Sequence, residues 1–355
     1  MNNSWKKEHT LILNDLKDIS QDQVIPWNDL NNSSVLVTGA TGLIGSLVIK
    51  ALLYASEEKG LNIKIGAYVR NIEKAKAIFS NLISSHSNLI FEVGDLSKNL
   101  NLAHDYDYVI HTASTTASRD FVEHPVETIS TAVYGTNYLL DYCKNNKVKS
   151  FAYLSSIEVY GDTEQEEVSE EDLGTLAVTS VRNSYPISKR LVENMCISYN
   201  KEYGVSAKIL RLTLTFGPGV NLTDNRVFAQ FAKSVIYSTD IVLNTAGRTK
   251  RDYLYTADAV KAILSVLLLG KDGNIYNVSN PDTYCTICDM AKMCTELADN
   301  KIKVVFDIDE KKSSIYLNEI KRKLNISKLN NINDFSKVSL KEQFVRLIEY
   351  YKSLQ

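Results

Sequence analysis

Tyr185 and Lys189 stand four residues apart in Tyr185-Pro186-Ile187-Ser188-Lys189. On a helix that spacing puts them on one face, one turn from each other. A phenol with an ordinary pKa of about 10 is a poor base near neutrality. A neighbouring ammonium favours the phenolate, so the pair can pass a proton to or from a hydroxyl. Tyr-x-x-x-Lys alone is common by chance, and an exposed surface pair is the plainer reading of it. The upstream run Ser155-Ser156-Ile157-Glu158-Val159-Tyr160-Gly161 makes the pattern more specific. Ser156 falls at the end of a predicted strand, where its hydroxyl can bridge a substrate oxygen and Tyr185. Glu158 adds a carboxylate two residues on.

A second constellation is the loop Thr38-Gly39-Ala40-Thr41-Gly42-Leu43-Ile44-Gly45. Gly39 permits a tight turn, Gly42 lets backbone approach a pyrophosphate, and Gly45 lets helix and strand pack closely. The following helix start offers free N–H groups and a positive dipole end to phosphates. The spacing is G-x-x-G-x-x-G, and its position between a first strand and a first helix is what gives it weight. Thr41, Leu43 and Ile44 are expected to line the dinucleotide with the glycines. At the end of the second strand, where an acid would accept from an NAD ribose, the sequence has Arg70. A guanidinium suits a 2′-phosphate, which favours NADP(H) and leaves NAD as the other option. A solvated surface charge is the competing reading of Arg70. Asp95, followed by Leu96, is placed to contact the adenine.

These residues need a frame that holds strand ends beside helix starts. Apolar runs at Val35–Val37, Ile63–Val69, Leu89–Val93, Tyr108–His111, Phe151–Ser155 and Ala207–Leu212 alternate with helical segments. That pattern predicts an α/β fold with a doubly wound parallel sheet covered on both faces. From about Leu214 the alternation loosens into turns and short elements, which predicts a smaller α/β C-terminal lobe. The expected division is an N-terminal extension over 1–33, a dinucleotide-binding domain over 34–213 and a substrate lobe over 214–355, with the two lobes interleaved and the boundary approximate. Arg226, opening a helical stretch, and Arg251 in Lys250-Arg251-Asp252-Tyr253 are basic groups suited to a diphosphate. Ser114 is a further expected substrate contact.

At 355 residues, the chain exceeds what one hydrophobic core usually serves, which favours two lobes. Apolar residues make up 44% and charged residues 23%, which excludes wholesale disorder and fibrous classes. Forty basic against forty-two acidic residues give no footprint for nucleic acid. No apolar run is long enough to span a bilayer, and the start of the chain lacks a secretory h-region, so a cytoplasmic protein is expected. Cys285 and Cys288 form a C-x-x-C without a second pair nearby; with Cys143, Cys196 and Cys294 they read as core or helix cysteines, and no metal site is expected.

The glycine loop, the Ser156 run and Tyr-x-x-x-Lys, in this order, resemble the extended short-chain dehydrogenase/reductases of the nucleotide-sugar epimerase/dehydratase family. The resemblance covers roughly Val35 to Leu347. It implies a Rossmann lobe, a C-terminal lobe for a nucleoside diphosphate sugar, and Ser156, Tyr185 and Lys189 as the catalytic trio. Lys189 would also hold the cofactor ribose, and Arg251 would clamp the diphosphate. Among subfamilies the UDP-glucuronate decarboxylases are most similar, through Glu158-Val-Tyr-Gly-Asp162, Ser188-Lys189-Arg190 with Glu193, Thr215-Phe216-Gly217-Pro218 and Asn225-Arg226-Val227. Relatives pair through two long helices, here Pro125–Lys144 and Tyr185–Tyr203, which implies a homodimer. Ile157 stands where dehydratases place an acid, which disfavours dehydration. Ala132 and Leu214 stand where relatives usually have Asn. With Arg70 taken as an NADPH signal, the leading expectation is reduction of a nucleoside diphosphate 4-ketosugar for surface polysaccharide synthesis. A nucleotide-sugar 4-epimerase and a UDP-glucuronate decarboxylase using Glu158 are the alternatives.

Overall fold

The computed structural model describes residues 5–115, 119–308 and 319–355. Seven parallel strands form the main sheet: β1 (Ser33–Thr38), β2 (Ile63–Val69), β3 (Leu89–Val93), β4 (Tyr108–His111), β5 (Ser150–Ser156), β6 (Ala207–Leu212) and β7 (Ile275–Val278). Their spatial order is β7-β6-β5-β4-β1-β2-β3. The order reverses between β1 and β4, which is where an open α/β sheet leaves a crevice at its carboxyl edge.

Both faces are covered, as near-continuous apolar strands require. Helices α1 (Thr10–Ser20), α2 (Leu43–Lys59) and α6 (Thr256–Leu269) share a core with Val35 and Val37 on one face. Helices α3 (Pro125–Asn146) and α4 (Ser184–Tyr203) share the other with Leu36, Val109 and Phe151. The alternation along β1 follows from the two-residue period of a strand.

The second lobe is built on a five-stranded sheet centred on Lys250–Tyr255. That strand pairs with Asn280–Thr286 antiparallel and with Lys321–Leu324 and Leu214–Phe216 parallel. Helices α5 (Val227–Tyr237), α7 (Ile287–Leu297) and α8 (Leu340–Ser353) complete it. Its centre is aromatic: Phe216 stacks on Phe228 at 4.6 Å and meets Phe344 edge-on at 5.1 Å.

The two lobes interleave across residue 214. Strand β7 and helix α6 return from the second half of the chain to the main sheet. Conversely, Glu167–Val168 leaves the first half and pairs with Lys321–Leu324. The segment before β1 is part of the main core. Leu16 and Ile19 are fully buried, and Trp5 donates to Glu57 at 2.9 Å while sitting edge-on to Tyr54. Asp15 accepts from the Tyr255 hydroxyl at 2.8 and 3.0 Å, joining α1 to the strand that carries Arg251. Burial raises the Asp15 carboxyl to about 7 against the pull of Tyr255 and Arg346.

After Arg70 the chain forms two short helices, Ile72–Ile78 and Ser80–Ile83, on either side of the fully buried Phe79. Among the described residues no helix is long and apolar enough to cross a membrane. None of their His, Cys, Asp and Glu side chains cluster in a way that could hold a metal ion.

Candidate active site

The glycine loop connects the end of β1 to α2. Gly39 has φ +67, in the left-handed region, and an added Cβ would lie 2.6 Å from Thr112 Oγ1 and 2.7 Å from the Ala113 nitrogen. A Cβ on Gly45 would lie 2.4 Å from the Gly39 carbonyl oxygen. Gly42 is the N-cap of α2, and no side chain caps the helix, so its first-turn N–H groups remain available. These features fit a dinucleotide pyrophosphate laid over the loop.

Opening from this loop is a cavity of about 970 Å³. Gly39, Thr41, Gly42, Leu43, Ile44 and Gly45 line it, together with Arg70, Asp95 and Leu96. Ser114, Ser156, Glu158, Tyr185, Lys189, Arg226 and Arg251 line the same cavity. Residues spread over more than two hundred positions are thus brought together by the carboxyl ends of the strands and the loops that follow them.

Arg70 follows β2 and is exposed, with Asn71 and Lys74 beside it on the cavity wall. Asp95 accepts from the Ser97 N–H and hydroxyl at 3.0 and 2.8 Å; these bonds, helped by Arg70 and Lys98, hold its carboxyl below the usual range.

At the other end, Ser156 closes β5 while Tyr185 and Lys189 occupy the first two turns of α4. Ser156 and Ser114 both lie beside the Tyr185 hydroxyl and favour its ionised form. Its ring stacks on Phe121 at 4.3 Å and an interplanar angle of 2°. Burial and the Glu158 charge push the phenol up to about 12, against Ser156, Ser114 and Arg182. It is therefore protonated at rest, set to donate, and becomes an acceptor only beside further positive charge. Lys189 Nζ donates to the Leu154 carbonyl at 2.6 Å and lies over the Tyr153 ring. Burial lowers its pKa to about 7, opposed by Glu193. Behind it, His111 is held between Thr38 and Thr136 at 2.7 and 3.0 Å; burial and Lys189 push it down to about 3, so it stays neutral.

Glu158 is the second residue of the turn Ile157–Tyr160, where the Ser156 hydroxyl accepts its N–H at 3.2 Å. Its carboxylate is held in a two-pronged pair by Arg182, at 3.0 and 3.2 Å. The Arg182 guanidinium also lies over Phe121. Neither Arg182 nor Phe121 figures among the residues expected from sequence. Arg182 is three residues before Tyr185, a helix-neighbour spacing that could have found it; Phe121 has no local signal.

The expected substrate arginines differ in their surroundings. Arg226, the N-cap of α5, is paired with Asp224 at 2.5 Å. Arg251 keeps a buried Nε without a hydrogen-bond partner among the described residues. Its register neighbour is Arg322, which donates to the Gly161 carbonyl and is equally short of a partner at Nε. Burial and Arg251 together lower Arg322 to about 10. Arg322 lies about seventy positions from Arg251 in sequence, so only strand pairing shows that they adjoin.

The sequence profile described as the NAD dependent epimerase/dehydratase family matches residues 35–279, well over half of the chain. The chain belongs to this family. It is 27% identical to UDP-glucuronic acid decarboxylase 1 of Arabidopsis thaliana over 322 residues, covering 90% of this chain and 70% of that protein. It is also 27% identical to dTDP-D-glucose 4,6-dehydratase of Dictyostelium discoideum, over 75% of this chain and 62% of that protein. In structure it resembles UDP-N-acetylglucosamine 4-epimerase of Methanobrevibacter ruminantium, with a TM-score of 0.76 and 23% identity over 92% of this chain and 100% of that one. The seven-stranded parallel sheet with a smaller mixed-sheet lobe is therefore the family architecture, and the protein is an enzyme of that family.

Proposed function

We propose that the protein transforms a nucleoside diphosphate sugar by transient oxidation at C4, and that a UDP-uronate undergoing decarboxylation is the reading best supported. The supporting observation is Glu158: a carboxylate two residues from Ser156, fixed by Arg182 on the wall of the cavity that holds Tyr185. Several similar curated proteins carry the name UDP-glucuronic acid decarboxylase, which favours this reading over the NADPH-dependent ketoreductase expected from Arg70.

In this reading the main-sheet lobe holds the dinucleotide on the glycine loop, and Arg251 faces the diphosphate from the second lobe. A bound nicotinamide dinucleotide supplies hydride acceptance and return. Tyr185 takes the proton of the sugar C4 hydroxyl as the ketone forms, with Ser156 orienting the oxygen and Lys189 stabilising the phenolate. A ketone β to the carboxylate stabilises the electrons left when carbon dioxide departs. Glu158, lining the cavity beside Arg182, relays a proton taken up from solvent to the carbon that has lost its carboxylate. Tyr185 then returns its proton to the C4 oxygen. Exposed Val126, Ile129, Leu191 and Ile197 on α3 and α4 support pairing of two copies through these helices.

Incubation with UDP-glucuronate and NAD is the test, with carbon dioxide release the expected result. No release, together with NADPH consumption on a 4-ketosugar nucleotide, would replace decarboxylation by ketone reduction. That second reading has its own support in Arg70 and Lys74, two cations at the ribose end of the cavity. Arg70→Asp is expected to weaken NADPH binding at least tenfold relative to NADH, because a 2′-phosphate would lose a charge-assisted partner. Calorimetric titration with both cofactors measures it, and an unchanged ratio would assign Arg70 to the solvated surface.

A further inference from the structure

The proton-handling groups sit on two elements, with Ser156 at the end of β5 and Tyr185 and Lys189 on α4. Behind them, outside the cavity lining, lies a buried ion pair to which no role has yet been given. Glu193, one turn beyond Lys189 on α4, is bound by Arg211 of β6 through Nε to Oε1 at 3.0 Å and Nη2 to Oε2 at 2.7 Å. Arg211 is 1% exposed and Glu193 3%. Ser155, the direct neighbour of Ser156 and the register partner of Arg211, donates to Glu193 Oε1 at 2.5 Å. The remaining Arg211 nitrogen, Nη1, donates to the Tyr160 hydroxyl at 3.1 Å and the Glu170 carbonyl at 2.6 Å. Tyr160 in turn donates to Asn277 of β7 at 2.5 Å. Three neighbouring strands and α4 thus converge on one carboxylate–guanidinium pair.

Burying two charges costs desolvation that well-packed apolar side chains avoid, so stability alone is a weak reason for such a pair. We propose that Glu193 and Arg211 are positioning residues of the catalytic centre: the pair clamps α4 to the ends of β5 and β6 and fixes the Glu193 carboxylate one turn from Lys189, on the side where it favours the ammonium. The proposal rests on the reading of Tyr185 and Lys189 as the proton-handling pair.

The electrostatics around Lys189 favour this assignment. From β5 it meets the Leu154 carbonyl and the Tyr153 ring, and from β4 the neutral His111. On α4 it meets the Tyr185 phenol, the Cys196 thiol, which burial keeps protonated, and Glu193. Of these groups only Glu193 is a carboxylate, and Arg211 holds it from the β6 side. Burial drives Lys189 toward the neutral amine, and Glu193 opposes it. A neutral Lys189 no longer stabilises a phenolate on Tyr185.

The experiment follows Lys189 itself in the unliganded full-length protein. In lysine-labelled protein its NMR signal is assigned by its loss in Lys189→Arg, and its titration midpoint is read against pH. Glu193→Gln is expected to lower that midpoint by about one pH unit, whereas Glu193→Asp, which keeps the charge, should retain it. An unchanged midpoint in Glu193→Gln, or an equal fall in Glu193→Asp, would overturn the proposal. Should Glu193→Gln fail to fold, Glu193→Met/Arg211→Met removes both charges together and is expected to show a downward shift smaller than that of Glu193→Gln, since the lost guanidinium acts in the opposite sense; no shift there overturns the proposal too. With UDP-glucuronate and NAD, the alkaline limb of kcat should move down in step, since activity is lost once Lys189 deprotonates. The NMR readout needs no substrate, so it stands whether or not UDP-glucuronate is turned over.

Discussion

Tyr185→Phe is expected to lower kcat about 10³-fold while leaving the protein folded. The change removes one oxygen and keeps the ring that stacks on Phe121. The Ser156 and Ser114 hydroxyls that now meet the phenol lose a partner but face a cavity that water can enter. Steady-state kinetics with UDP-glucuronate and NAD, alongside thermal unfolding, measure both halves of the expectation. A variant within threefold of wild type would remove Tyr185 from the chemistry, and with it every reading that relies on the trio.

Glu158→Gln separates the proposed reaction from ketone reduction. For decarboxylation, kcat should fall about 10²-fold, because the carboxyl group that handles the proton is replaced by an amide that cannot. For ketone reduction Tyr185 is the only proton donor needed, and most activity should survive. The same substitution has an electrostatic signature independent of the reaction. Glu158 raises the Tyr185 phenol, so neutralising it should shift the Tyr185-dependent limb of the pH profile toward lower pH. Arg182, freed from its carboxylate, adds to the shift in the same direction. A limb that stays in place would mean that Glu158 and Tyr185 do not share a site.

Much of the architecture was legible in the chain. Strands β2, β3, β4 and β6 run over the residues that the apolar runs mark. The inner strands are largely apolar because they are buried on both faces, whereas β3 is a half-buried edge strand and β6 carries the buried Lys208 and Arg211. The glycine loop was legible for a comparable reason. Only glycine tolerates φ +67 with Thr112 and Ala113 so close, so the residue type records the backbone geometry. Tyr185 and Lys189 were legible because helical periodicity puts i and i+4 on one face.

Other features were decided by tertiary structure alone. Interleaved lobes were expected, but which segments cross, β7 and Glu167–Val168, depends on strand pairing between distant segments, for which composition near residue 214 carries no signal. The extension over residues 5–30 reads as a generic amphipathic segment, yet it completes the core beside α2 and α6 because those helices leave an apolar face uncovered. The pairing of Glu158 with Arg182, of Arg251 with Arg322, and of Glu193 with Arg211 joins residues that carry no shared sequence pattern. Residue type and local period determine which groups a chain offers and which face they occupy; which charge finds which partner is fixed only when the strands come into register and water is excluded between them.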